Sequence, residues 1–110
     1  MSEQKFQSFA EFWPFYVGEH RLRMTRVWHF IGTSLGLISL LLMVVTGKWW
    51  LLFLGLWLSY GCAWASHFFI EKNRPATFKY PFYSFLGDFQ MYLLMWQGKM
   101  ADEVTRLVKH

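Results

Sequence analysis

Charge is scarce in this chain of 110 residues: only 16% are Asp, Glu, Lys or Arg, against about 25% in soluble domains. That leaves too few water-facing side chains for an ordinary soluble globule. Cysteine is nearly absent as well. The single Cys62 excludes an intrachain disulfide and a cysteine-rich metal cluster. Its apolar setting reads as that of a small packed hydrophobe. No cleavable signal peptide is expected, because residues 1–10 are polar and the apolar run starts too late. No internal repeat or low-complexity stretch is visible, and the length suits one small domain.

What is abundant is apolar. Hydrophobic residues make up 55% of the chain and aromatics 22%, with 12 Phe and 7 Trp. Such rings suit the headgroup level of a membrane. The net charge is +4, but the basic residues flank apolar runs. That placement fits anionic lipid headgroups better than nucleic acid, so no nucleic-acid partner is expected.

Along the chain, Ser8 is a fair N-cap, and Glu11 three residues later completes a capping-box pattern. Phe9, Phe12, Trp13 and Tyr16 follow at helical spacing, which predicts an amphipathic surface helix over 8–20 with Pro14 inside it. After Arg21, Arg23 and Arg26, residues 27–46 form a first transmembrane helix, its charge-free run ending at Val45. Gly47 and Lys48 make a tight turn, and residues 49–70 form a second transmembrane helix. Basic residues at both outer ends place the two termini in the cytoplasm. A third apolar stretch, 80–97, contains Gly87, Asp88 and Gln90. Because a carboxylate is costly inside a bilayer, it reads as an interfacial or re-entrant helix with Asp88 turned inward. The tail from Lys99 to His110 is a short fraying helix, with His110 solvated. The fold class expected is an all-α membrane protein, a transmembrane helical hairpin with an interfacial helix on either side in sequence. It would be multi-pass and integral to a bacterial inner membrane or the endoplasmic reticulum.

Three histidines sit where histidines are costly: His20, His29 and His67. Pairing the two runs about the turn near Gly47 and Lys48 puts residues whose numbers sum to about 95 or 96 at one height, since the helical rise is constant. His29 is then level with His67. His20, nine positions before His29, joins them only if the chain bends near Arg21 to Arg26. Glu71, four positions after His67, shares its face, either as a ligand or as an acceptor for the His67 ring N–H. Asp88 could supply a further carboxylate. Several imidazoles with carboxylate oxygen suit non-haem iron, with zinc not excluded. One interfacial histidine is usually structural; three near one level shift the weight to function. Arg74 could pair with a lipid phosphate or a substrate carboxylate.

The set of Phe12 and Tyr16 ahead of His20, His29 followed by Gly32, and the block His67-Phe68-Phe69-Ile70-Glu71-Lys72-Asn73-Arg74-Pro75-Ala76 resembles the membrane family of the yeast 2-hydroxy fatty acid dioxygenase. The resemblance spans roughly residues 9 to 92. It implies an iron(II) enzyme that uses dioxygen to shorten 2-hydroxy fatty acids by one carbon, an α-oxidation. It carries the iron ligands over to His20, His29 and His67, matches Glu71 to a family acid, and lays Asp88 near another. The chain is shorter than the yeast enzyme and corresponds to a compact form. A homodimer would restore the missing wall of an acyl pocket.

The expected function is therefore an iron(II)-dependent fatty acid dioxygenase at the membrane. Its partners are the bilayer, a 2-hydroxy acid and dioxygen, with Arg74 or Lys72 pairing with the substrate carboxylate. Two rivals remain at this level. A haem-binding subunit would use His29 and His67 as axial ligands. A membrane-shaping scaffold would need none of the histidines.

Overall fold

The chain turns sharply between short and long helices, and these turns decide which side chains meet. The computed structural model describes residues 6–108, so His110 lies outside the described residues. All regular structure among them is helical.

Helix α1 spans Phe9–Gly18. Ser8 caps it, its hydroxyl accepting from the Glu11 amide at 3.2 Å, while Glu11 accepts from the Gln7 amide. The helix ends two residues before the sequence reading, because the Glu19 and His20 amides tighten onto carbonyls three and four residues back. Phe12, Trp13, Tyr16 and Val17 are buried, and Pro14 stays on the exposed face.

Helix α2 spans Arg23–Thr46 and α3 spans Trp50–Ser66, the latter running into a π-helical turn at His67–Glu71. Both are long and apolar enough to cross a membrane. Gly47 joins them in the left-handed region at φ 74°, its amide returning to the Met43 carbonyl. The two helices pack antiparallel along small residues. Gly32 lies against Ser59 and Cys62, Gly36 against Gly55, and the Ser39 hydroxyl donates to the Leu51 carbonyl at 2.6 Å. Their outer surfaces are bare hydrocarbon: Val44, Val45 and Trp57 are each more than 70% exposed.

A 3-10 turn at Ala76–Phe78 leads to α4, Pro81–Trp96, with Pro81 in the first turn, where its missing N–H costs nothing. Helix α5, Met100–Leu107, carries Asp102 and Glu103 in its first turn and Arg106 in its last, complementing the helix dipole. The sequence read this tail as fraying. Instead Met100 and Val108 are buried in the same core as Phe12, Val17 and Met91, and the Trp13 indole donates to Glu103 at 2.8 Å. Helices α1, α4 and α5 thus build a hydrophobic core beside the α2–α3 pair.

Candidate metal centre

Gly18 ends α1, and the chain folds back so that the His20 ring lies over the helix it has just left. Its Nδ1 sits 2.7 Å from the Tyr16 carbonyl, and its ring stacks on the Tyr16 ring with centroids 4.0 Å apart. The corner that follows is pinned twice. Arg26 Nη1 donates to the carbonyls of His20 and Arg21, at 2.9 and 2.8 Å. Glu71 Oε2 accepts from the Leu22 amide at 3.1 Å and the Thr25 hydroxyl at 2.6 Å. Leu22 has no capping side chain of its own, so the end of α3 supplies the N-cap of α2. The bend expected between His20 and His29 is therefore present, at His20 to Arg23.

His29 projects from the second turn of α2. Gly32, one turn on, keeps α2 close to α3: a Cβ there would lie 2.8 Å from the Cys62 Cβ and 2.9 Å from the Ser59 carbonyl. His67 opens the π turn. That turn winds one residue too many, and Lys72 then takes φ 65°. The effect is to bring Asn73 back under His67. Asn73 Oδ1 is 2.7 Å from His67 Nδ1, while Asn73 Nδ2 donates to the Glu19 carbonyl at 3.2 Å. π turns of this kind occur often at functional sites.

The three imidazoles meet. Nε2 to Nε2 distances are 3.0 Å for His20–His67, 3.1 Å for His20–His29 and 3.2 Å for His29–His67. All three side chains are buried, and they form a cluster able to hold a metal ion. The hydrogen bonds decide which face they turn inward. His20 Nδ1 faces a carbonyl oxygen, so it carries the proton. His67 Nδ1 faces an amide oxygen whose own NH2 is already committed to Glu19. Both Nε2 atoms are therefore bare lone pairs, 3.0 Å apart, an arrangement that repels unless a cation lies between them. His29 Nδ1 stands 3.7 Å from Asp88 Oδ1, which favours a proton there and a third lone pair inward. A point equidistant from nitrogens about 3.1 Å apart lies about 1.8 Å from each in their plane. A metal–imidazole bond is about 2.1 Å, so the three nitrogens stand close enough together to be shared by one ion, which His20, His29 and His67 would hold. The donor set fits a transition metal.

Burial, and then the two neighbouring imidazoles, hold His20 well below the ordinary histidine range. It is neutral at pH 7, as a ligand must be. Asp88 accepts from the Tyr16 hydroxyl at 2.5 Å, and burial pushes its carboxyl up to about 7 against that hydrogen bond.

Of the residues singled out in the sequence, His20, His29 and His67 come together, with Asp88 against the outer nitrogen of His29. Glu71 turns away from the imidazoles to cap α2. The ring N–H of His67 goes to Asn73, not to Glu71. Lys72 and Arg74 are exposed on the loop after the π turn. Asn73 and Arg26 were named in the sequence, but the contacts of Asn73 with His67 and of the buried Arg26 with the His20 carbonyl escaped it. Nothing in the spacing marks an asparagine six positions after a histidine, because only a π turn ending in a left-handed residue brings the two side by side.

A family model described as 2-hydroxy-palmitic acid dioxygenase Mpo1-like matches residues 6–100. The chain belongs to this family. The match contains every residue of the histidine cluster and its partners from Tyr16 to Asp88. No curated protein and no solved structure matches the chain.

Proposed function

We propose that this family member is an iron(II)-dependent dioxygenase that shortens 2-hydroxy fatty acids by one carbon at a membrane. The observation that carries the reading is the triangle of inward Nε2 atoms, two of them fixed as lone pairs by what their Nδ1 atoms touch. The family description names the substrate class and the use of dioxygen. Zinc has no redox chemistry, which favours iron for such a reaction. Ferrous iron held by His20, His29 and His67 would supply dioxygen activation.

The rest falls to the chain. A 2-hydroxy acid offers two adjacent oxygen donors, hydroxyl and carboxylate, that would complement three imidazole ligands. The overall change converts R–CHOH–COOH and O2 into R–COOH, CO2 and H2O, which balances without an added reductant. Asp88 orients His29, Asn73 orients His67, and the Tyr16 carbonyl orients His20. Glu71 acts by fixing the corner that delivers His20, a positioning role. Lys72 and Arg74, exposed beside the site, attract the acid from the membrane surface. In this reading α2 and α3 span the bilayer with both chain termini on the cytoplasmic side, α1 and α4 lie at the interface, and a second copy would wall the exposed helix faces. Haem suits the geometry poorly. The Nε2 atoms of His29 and His67 are 3.2 Å apart with His20 Nε2 within 3.1 Å of both, which leaves no room between them for a porphyrin.

The test is elemental analysis and a visible spectrum of protein purified anaerobically in detergent, with His67→Ala beside it. One iron per chain, no Soret band and loss of iron in the variant are expected. Zinc alone, or a Soret band, would overturn the reading.

A further inference from the structure

An apolar groove with a cavity of about 210 Å³ runs alongside the α2–α3 pair, starting next to the histidines. Its head is polar. Thr33, one helical turn below His29, lies there with Tyr60 and the same Asp88 that stands against His29. The Tyr60 hydroxyl has no hydrogen-bond partner among the described residues. Away from the head the lining becomes hydrocarbon, Leu37 and Leu40 on one side and Leu52 on the other. Gly36 and Gly55 border the space and send no side chain into it, while Phe85 and Phe89 of α4 cover the head. Leu37, Leu40 and Leu52 are each between 37 and 40% exposed, so the far end opens sideways onto the apolar outer surface.

We infer that this groove receives the alkyl chain of the substrate and gauges its first carbons. The inference rests on the proposed oxygenase reading and adds where the chain lies and how much of it is read. The polarity of the groove matches a single-chain amphiphile, a polar head beside the metal site and hydrocarbon beyond. A helix from a second copy, about 10 Å across, is too wide for a cavity of this size. The lateral opening lets a chain enter from lipid and lets its end leave again. Thr33 to Leu40 is seven residues of helix, about 10 Å, or roughly eight carbons of an extended chain with bonds of about 1.5 Å. Longer tails therefore pass out of the groove at Leu40 and Leu52.

The experiment measures kcat/KM for 2-hydroxy acids from eight to eighteen carbons in one detergent, for the full chain and for Leu40→Trp and Leu52→Trp. In the native chain, selectivity should rise to about ten carbons and then flatten. Each tryptophan should lower the sixteen-carbon acid at least tenfold relative to the eight-carbon acid, with metal content unchanged. Equal losses at all lengths in both variants would overturn the groove, as would discrimination that keeps rising to eighteen carbons. A second readout needs no turnover. 2-Hydroxypalmitic acid carrying a diazirine near its ninth carbon should photolabel residues between 37 and 56, and labelling confined elsewhere would overturn the inference. If the protein holds no metal and turns nothing over, the oxygenase reading fails while the photolabel still decides the groove.

Discussion

Asn73 and His67 stand six residues apart in sequence and 2.7 Å apart in space, amide oxygen against imidazole Nδ1. The same amide donates to the Glu19 carbonyl, so it ties the His67 ring to the turn that carries His20. Removing an outer partner of a metal-binding histidine typically costs 10–100-fold in affinity. Asn73→Ala should therefore weaken cobalt(II) binding by about 10–100-fold while the far-ultraviolet spectrum stays helical. Unchanged affinity would mean that His67 is oriented by packing alone.

Gly32 and Gly61 make a paired test of helix approach. A Cβ at Gly32 would meet Cys62 and Ser59 at under 3 Å, whereas one at Gly61 meets nothing within 4 Å. Overpacking costs roughly 1–3 kcal/mol, so Gly32→Ala should lower stability by about that much. It should also reduce metal retention, because the contact lies one turn from His29. Gly61→Ala should leave both intact or raise stability slightly, since alanine is the better helix former by about 1 kcal/mol. Denaturation in detergent with parallel metal analysis separates the two.

Glu71 distinguishes a cap from a ligand. Its Oε2 serves the Leu22 amide and the Thr25 hydroxyl, and the loss of such a cap costs about 0.5–2 kcal/mol. Glu71→Ala should lower the unfolding midpoint accordingly yet still load one metal per chain when folded. A folded variant empty of metal would return Glu71 to the ligand list.

Acid should break the one side-chain hydrogen bond seen between α1 and α5 among the described residues, Trp13 to Glu103. The Arg106 guanidinium first, and then the Trp13 indole N–H, hold the Glu103 carboxyl below its usual value of 4.5. A group depressed in the folded state stabilises fully above its unfolded pKa, and that contribution is lost as pH falls through the lower folded value. The indole NH resonance of Trp13 should therefore shift, and its exchange quicken, below about pH 4.5. In Glu103→Gln the resonance should be pH-independent over that range.

Much of the arrangement was legible because it follows from constant helical rise. A short turn at Gly47 puts His29 and His67 at one level, and their Nε2 atoms lie 3.2 Å apart. The corner that delivers His20 was foreseeable from nine residues that no straight helix could reconcile. What hid was local irregularity. The π turn rotates Glu71 away from His67 and Asn73 toward it, and no residue in His67–Glu71 announces the extra winding. The docking of α5 was equally hidden, since a polar tail anchored through Met100, Val108 and one indole reads as loose.

The π turn has one further consequence. Inserted residues of this kind are tolerated against helix economy, so deleting one residue from 68–70 should repair the hydrogen-bond ladder. The repaired helix would lose the widened turn that Lys72 closes at φ 65°, and with it the return that sets the Asn73 amide against the His67 ring. Such a shortened chain would be a more regular protein and an emptier one, its fold strengthened by the same change that unmakes its centre.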